Sequence, residues 1–223
     1  MRVYNPEAAS GKVISLSTDQ QRHAKALRVR TIEPIFVFDG MGREYRAEHI
    51  EKVSYRCVEE ITPLRALKHI TLAISCAKGN RMDTLIEKVS ELGVRTIIPL
   101  ICDRSIVKPR VGKIARWKKI SIEACAQCGR ADLPHIHQPM PLSSVLEKVR
   151  DHDRAFFCLP HGRPGNFDAQ KIMFIVGPEG GFTDEEIAAA QHTGCHLLTL
   201  ASTILRIETA GITAASQATL PKT

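Results

Sequence analysis

This 223-residue chain contains no apolar run of membrane-spanning length. Its first residues, MRVYNPEAAS, carry no apolar stretch of the kind a secretory leader needs. Together these absences predict a cytoplasmic protein with no membrane partner. A disulfide framework is missing too, because the seven cysteines fall at irregular spacing, as reduced thiols do. Cys125-Ala126-Gln127-Cys128 is a lone CxxC without a second pair at metal-site spacing, so it reads as packing inside a helix, and no metal is expected. Acidic residues are absent from Arg104 to Lys119, where seven basic residues stand (Arg104, Lys108, Arg110, Lys113, Arg116, Lys118, Lys119). With a net charge of +7, that one-signed run points to a polyanion such as RNA or DNA rather than to a merely solvated face.

What is present is organised around Ile172 to Glu186, IMFIVGPEGGFTDEE. Apolar residues bounded by Gly and Pro predict a strand buried on both faces. Gly177-Pro178-Glu179-Gly180-Gly181 then lets the backbone turn sharply and approach closely. Thr183 followed three residues later by Glu186 has capping-box spacing, so a helix starts there. A strand, a glycine loop and a helix in succession mark the edge at which open α/β sheets hold ligands. Phosphate loops carry Lys or Ser/Thr after their glycines. This loop carries Glu179, which repels phosphate and suits a small organic ligand.

Along the chain the texture changes once. Residues 1–68 read as a small β module: short strands at Val13–Leu16 and Ile35–Phe38, a hairpin signal at Asp39-Gly40-Met41-Gly42, and partial alternation through Tyr45–Ile61. A basic helix candidate runs from Gln20 to Arg30. Residues 69–223 alternate strands with helices: strands at Ile70–Cys76, Val94–Ile101, Ala155–Leu159, Ile172–Val176 and His196–Leu200, and helices at Arg81–Leu92, Arg116–Arg130, Asp184–His192 and Ile204–Thr219. Such alternation predicts an α/β fold with a parallel sheet covered on both faces. Three loops follow strand ends in the last third: Pro160-His161-Gly162, Gly177 to Gly181, and Ala201-Ser202-Thr203.

GPEGGF at 177–182 followed by ILRIETA at 204–210 resembles the RsmE family, the 16S rRNA (uracil-N3)-methyltransferases of the SPOUT superfamily. KGNRMDTLIEKVSELGV at 78–94, RSIVK at 104–108, RWKKISIEACAQCGRADLP at 116–134, RHAKALRVR at 22–30 and FDGMGREYRAEHI at 38–50 agree in the same order. The resemblance implies an N-terminal PUA-like β-barrel (1–68) and a C-terminal SPOUT-type, trefoil-knotted methyltransferase domain (69–223). It also implies a homodimer acting on 16S rRNA or the small ribosomal subunit with S-adenosyl-L-methionine. The cofactor would be held by Leu159, Pro160, His161, Val176, Gly177, Pro178, Glu179, Gly180, Gly181, Leu200, Ala201, Ser202, Ile204, Leu205 and Arg206. The chain departs from the family at Leu200-Ala201, where Leu-Gly is usual, and at Ala126 and Cys128, where Glu and Ser are common. A methyl group at 201 narrows the pocket, or shifts the loop if φ there is positive.

On this resemblance Arg206 stabilises charge on O2 and O4 of a uridine anion. Glu179 or Glu208 accepts the N3 proton or orients Arg206; the alternative role for Arg206 and Glu208 is a structural ion pair. Arg22, Arg28 and Arg30, with Arg104, Lys108 and Arg110, would grip RNA phosphates. Two rival readings are a non-catalytic RNA-binding assembly factor and a nucleotide-using α/β enzyme of another class.

Overall fold

A computed structural model describes residues 1–28, 33–64, 66–107 and 111–219. They fall into two compact units, residues 1–65 with 122–133, and residues 66–121 with 134–223. No helix among the described residues is long and apolar enough to cross a membrane.

The first unit contains β1 (Arg2–Tyr4), β2 (Val13–Ser15), α1 (Thr18–Ala26), β3 (Ile35–Phe38), β4 (Glu44–Glu51) and β5 (Ser54–Ile61). Its five-stranded sheet runs β1-β3-β4-β5-β2. Only the β1–β3 pairing is parallel. The long alternating stretch resolves into two strands because Lys52, at φ 47, reverses the chain. Apolar positions from the strands, among them Ile14, Val37, Tyr45 and Tyr55, form a core of their own. Helix α1 begins earlier than Gln20: the Ser17 hydroxyl accepts from the Gln20 N–H, and the Gln20 side chain accepts from the Ser17 N–H. Residues 122–133 join this unit through Cys125 and Ala131, which pack with Phe38. Arg2 donates to the carbonyls of Cys125 and Ala126 at 2.9 and 3.2 Å, satisfying acceptors that a helix end leaves open.

The second unit runs β6 (His69–Ser75), α2 (Arg81–Glu91), β7 (Thr96–Ile101), α3 (Val111–Cys128, whose residues from 122 on belong to the first unit), β8 (His135–Ile136), β9 (Met140–Pro141), α4 (Leu142–Leu146), β10 (Arg154–Arg163), β11 (Lys171–Val176), α5 (Asp184–His192), β12 (His196–Leu198) and α6 (Ile207–Thr219). The sheet order is β12-β10-β11-β6-β7-β8, with β9 also on β7. Every pairing is parallel. Period two explains why both faces are covered. Ile70, Leu72, Ile74, Phe156, Ile172 and Phe174 point into a core shared with α2 and α6. Ala73, Ala155, Phe157, Met173 and Ile175 point into the opposite core, shared with α4 and α5. Gly211 lets α6 settle closely, since a Cβ there would stand 2.6 Å from Ile74 Cδ1 and 2.8 Å from Leu85 Cδ1. Two helix starts differ from the sequence reading: α3 begins at Val111 rather than Arg116, and α6 at Ile207 rather than Ile204. The CxxC lies within α3, where burial pushes the Cys125 thiol up to about 12.

Candidate functional site

Because β10, β11 and β12 run parallel side by side, their C-terminal ends share one edge of the sheet. The loops leaving them enclose a cavity of about 330 Å³, within the range of roughly 300–1,000 Å³ usual for small-molecule sites. One wall is Cys158, Leu159 and Pro160; a second is Val176 to Glu179 with Gly181 and Phe182; the third runs from Thr199 to Ile207 and includes Leu200, Ala201, Ile204, Leu205 and Arg206. Most of the wall is apolar. Burial pushes the Cys158 thiol up to about 12, so it stays protonated and is no rival nucleophile.

The three glycines of the loop serve three different needs. A Cβ on Gly177 would stand 2.6 Å from Cε2 of Phe182, whose buried ring packs on Phe157 with centroids 4.0 Å apart. Gly180 faces Arg104, and a Cβ there would lie 3.2 Å from the arginine Cβ. Gly181 has open space around it and is required instead for its φ of +70. Beyond the loop the capping box of α5 forms as its spacing predicts: the Thr183 hydroxyl accepts from Glu186 N–H, and Glu186 Oε2 accepts from Thr183 N–H. Glu186 Oε1 also accepts from Asp103 N–H at 3.0 Å, tying the loop after β7 to α5.

Two arginines brace this site. Arg104, expected among the RNA-gripping residues, turns its guanidinium to the glycine loop and donates to the carbonyls of Gly180 and Phe182 at 3.2 and 3.1 Å. Arg81, which the sequence reading did not single out, lies 3.7 Å from Glu179 Oε1 and 3.7 Å from Glu208 Oε2. Glu208 Oε2 is buried and accepts no hydrogen bond among the described residues, so this guanidinium is the positive charge beside it. The structural ion pair between Arg206 and Glu208, the alternative to their catalytic roles, does not form among the described residues: Glu208 lies beside Arg81, and Arg206 is exposed at the cavity wall.

Other expected site residues fall differently. Gly180 stands behind the wall against Arg104, and Ser202 is exposed and off the lining. His161 lines a separate cavity, because β10 continues to Arg163 and carries the imidazole past the end of β12. Ala201 has no positive φ, so its methyl group imposes no backbone strain. Arg22 is exposed and paired with Asp19, and Arg28 is exposed at φ 54. Arg30, Lys108 and Arg110 lie outside the described residues. No cluster of His, Cys, Asp and Glu fit to hold a metal occurs among the described residues.

A profile of the RNA methyltransferase domain family matches residues 65–219. Over 96% of this chain and 75% of its own length, the ribosomal RNA small subunit methyltransferase E of Synechocystis sp. is 31% identical. That of Aquifex aeolicus is 30% identical over 97% of this chain and 98% of its own length. Among solved structures, a ribosomal RNA small subunit methyltransferase E from Neisseria gonorrhoeae bound to S-adenosyl methionine superposes with a TM-score of 0.89 at 33% identity, covering 97% of this chain and 95% of that one. A methyltransferase from Legionella pneumophila, solved with bound cofactor SAM, gives a TM-score of 0.85 at 33% identity, covering 97% and 96%.

Proposed function

Because this chain belongs to the ribosomal RNA small subunit methyltransferase E family, we propose that it methylates N3 of one uridine near the 3′ end of 16S rRNA, in the decoding region. The enzyme class and its use of S-adenosylmethionine come with the family. The observation that carries the reading to this chain is the cavity built by the glycine loop and residues 199–207. Its lining fits the cofactor: apolar walls suit an adenine ring, and Glu179, the acidic side chain on the lining among the described residues, suits a sulfonium cation. Leu159, Pro160, Val176 to Glu179, Gly181, Leu200, Ala201, Ile204 and Leu205 would hold it.

When bound, the cofactor supplies a methyl group already activated as an electrophile, so no metal is required. The chain must then deprotonate N3, stabilise the resulting anion and exclude water. Arg206 lines the cavity and offers forked donors to O2 and O4 as charge develops there. Glu179, on the glycine-loop wall of the same cavity, takes the N3 proton. Glu208 is off the wall, and its place beside Arg81 assigns it to holding that arginine, and through it Glu179, in position. Apolar walls keep water from the reacting atoms, and fixed alignment supplies much of the acceleration.

The remaining features of the reading rest on narrower support. Cys158 and Arg163 both pair with Leu198, and a Cβ on Gly162 would lie 2.3 Å from the Leu198 carbonyl carbon. Residues 158–163 therefore wrap the end of β12, which supports a trefoil knot of the SPOUT type. Ile204, on the cavity rim and 87% exposed, supports a homodimer whose interface lies beside the cofactor. The first unit, with its own sheet and core, is assigned as a PUA-like RNA-binding module, its Arg22 and Arg28 contributing phosphate contacts. The protein works in the cytoplasm, where its rRNA substrate is.

The test is methyl transfer from labelled S-adenosylmethionine to small subunits from cells lacking the protein, with naked 16S rRNA in parallel. Label at N3 of a single uridine is the expected result. Tight RNA binding without cofactor binding or label would replace the enzyme with an assembly factor. Near-normal turnover of a folded Arg206→Ala variant would remove the charge-stabilising role.

A further inference from the structure

Past Cys158, β10 does not stop but bends round the end of β12, and the Arg163 carbonyl accepts the Thr199 N–H at 3.1 Å. Gly162 and Gly165 press this segment onto β12: a Cβ on Gly165 would lie 2.7 Å from Leu198 Cδ1. Its backbone is therefore fixed, and so are the points from which His161 and Arg163 project. Between this segment, β12 and the end of α5 lies a second cavity of about 540 Å³.

Its chemistry is one-sided. Arg154, His161, Arg163, Asn166, Gln191 and His196 line it, and no Asp or Glu does. Neither guanidinium is held by an ion pair or a side-chain hydrogen bond among the described residues, and none of these six side chains is fully buried. Two uncompensated guanidiniums on one cavity, with no carboxylate on its lining, favour an anion as occupant. Forked donors fit phosphate oxygens better than a lone ammonium does. Phe156 and Leu198 are buried beneath the floor, and the exposed His196 ring, 5.8 Å from the Phe156 ring at 41°, presents an aromatic surface to the cavity. That imidazole face suits a base, which a bare phosphate would not use.

Position supplies the rest. Pro160 and Thr199 line the cofactor cavity, and their chain neighbours His161 and Leu198 line this one. The Thr199 hydroxyl, bonded to the carbonyls of Pro160 and Ala201 at 3.2 and 3.1 Å, holds the strand ends that separate the two. We infer that this second cavity binds a nucleotide of the RNA next to the methylated base, with its phosphate on Arg154 and Arg163 and its base against the His196 ring. The inference rests on the RNA-methylation reading for the identity of the larger ligand, but nucleotide binding can be measured apart from it.

The probe is the dinucleotide UpU, titrated into the full chain while the imidazole C–H resonances of His161 and His196 are followed. Saturable shifts are expected in the unaltered protein and their loss in Arg163→Ala and in Arg154→Ala, with S-adenosylmethionine affinity unchanged in both. Arg163→Lys, which keeps the charge and loses the fork, should fall between. On rRNA acceptors each alanine variant should raise KM several-fold, leave kcat alone, and lower the salt-dependence slope by about 0.7. Absence of shifts with UpU, unchanged shifts in both alanine variants, or equal shifts from inorganic phosphate at the same concentration would each overturn the inference. If UpU binds as described but the protein takes up no S-adenosylmethionine, the nucleotide cavity stands and the methyl-transfer reading falls.

Discussion

Neighbouring residues of the same two segments line both cavities of the second unit, yet their chemistry is opposite. One is walled by Leu159, Pro160, Val176, Leu200, Ile204 and Leu205, and the glycine loop lets backbone reach its edge. The other is rimmed by arginine, histidine and amides, and lacks any carboxylate. The first is shaped by what side chains would obstruct, the second by what side chains offer. Substitutions that add atoms should therefore damage the first, and substitutions that remove charge should damage the second.

The sharpest way to break that contrast is Gly177→Val. The added carbons must enter the space of the Phe182 ring, itself wedged against Phe157. Overpacking of this kind costs about 1–3 kcal/mol, and here the strain falls on the cavity wall. Cofactor affinity should drop on the order of 100-fold by calorimetry, while UpU binding at the other cavity stays intact. Equal loss at both would show one shared site rather than two.

Next in size is Arg81→Ala. Its ion pairs are at 3.7 Å and its side chain is 35% exposed, so screening limits their direct worth. The larger effect is on Glu208, whose buried Oε2 would lose its nearest positive charge. A stability loss of about 2 kcal/mol in urea unfolding is expected, with turnover lowered by misplacement of Glu179. Adding Glu208→Gln to that variant should recover part of the stability, since a neutral amide no longer needs the arginine. Additive losses would break the assignment.

What was legible beforehand was local. The glycine loop and the capping box of Thr183 and Glu186 are written in consecutive residues, and both form as their spacing predicts. The parallel sheet was legible because two-sided burial leaves unbroken apolar runs such as Ile172–Val176. What the local sequence does not carry depends on residues remote in the chain. Arg104 reaches Gly180 across 76 positions, and in the sequence it is one more member of a basic run. Arg81 looks like an ordinary first-turn residue until β6 and β11 lie side by side and bring Glu179 to it. His161 reads as part of its loop because nothing local shows that β10 runs on to pair Arg163 with Leu198. The joining of residues 122–133 to the first unit leaves no compositional break at either end.

Arg104→Ala tests that lesson at a smaller scale. Two charged-donor hydrogen bonds to loop carbonyls, partly open to water, are worth about 1.5 kcal/mol together. Cofactor affinity should fall roughly tenfold as the glycine loop loosens, whereas a phosphate-gripping role alone would leave it unchanged and weaken only RNA binding. Measuring both on one preparation separates the two roles.

The smallest effect is expected at Ala201, where the family resemblance sets glycine. Ala201→Gly would matter if the native backbone there occupied the left-handed region, where removing the methyl group relieves strain of about 1 kcal/mol or more. Ala201 has no positive φ, so no such strain exists to relieve. Glycine instead adds freedom to the unfolded chain, at a cost of about 0.4–1 kcal/mol in stability. Cofactor affinity should therefore stay within about twofold while the unfolding midpoint falls slightly. A gain of tenfold or more in affinity would mean that the methyl group itself obstructs the cavity. Ala201 would then belong with Gly177 among the positions governed by steric exclusion.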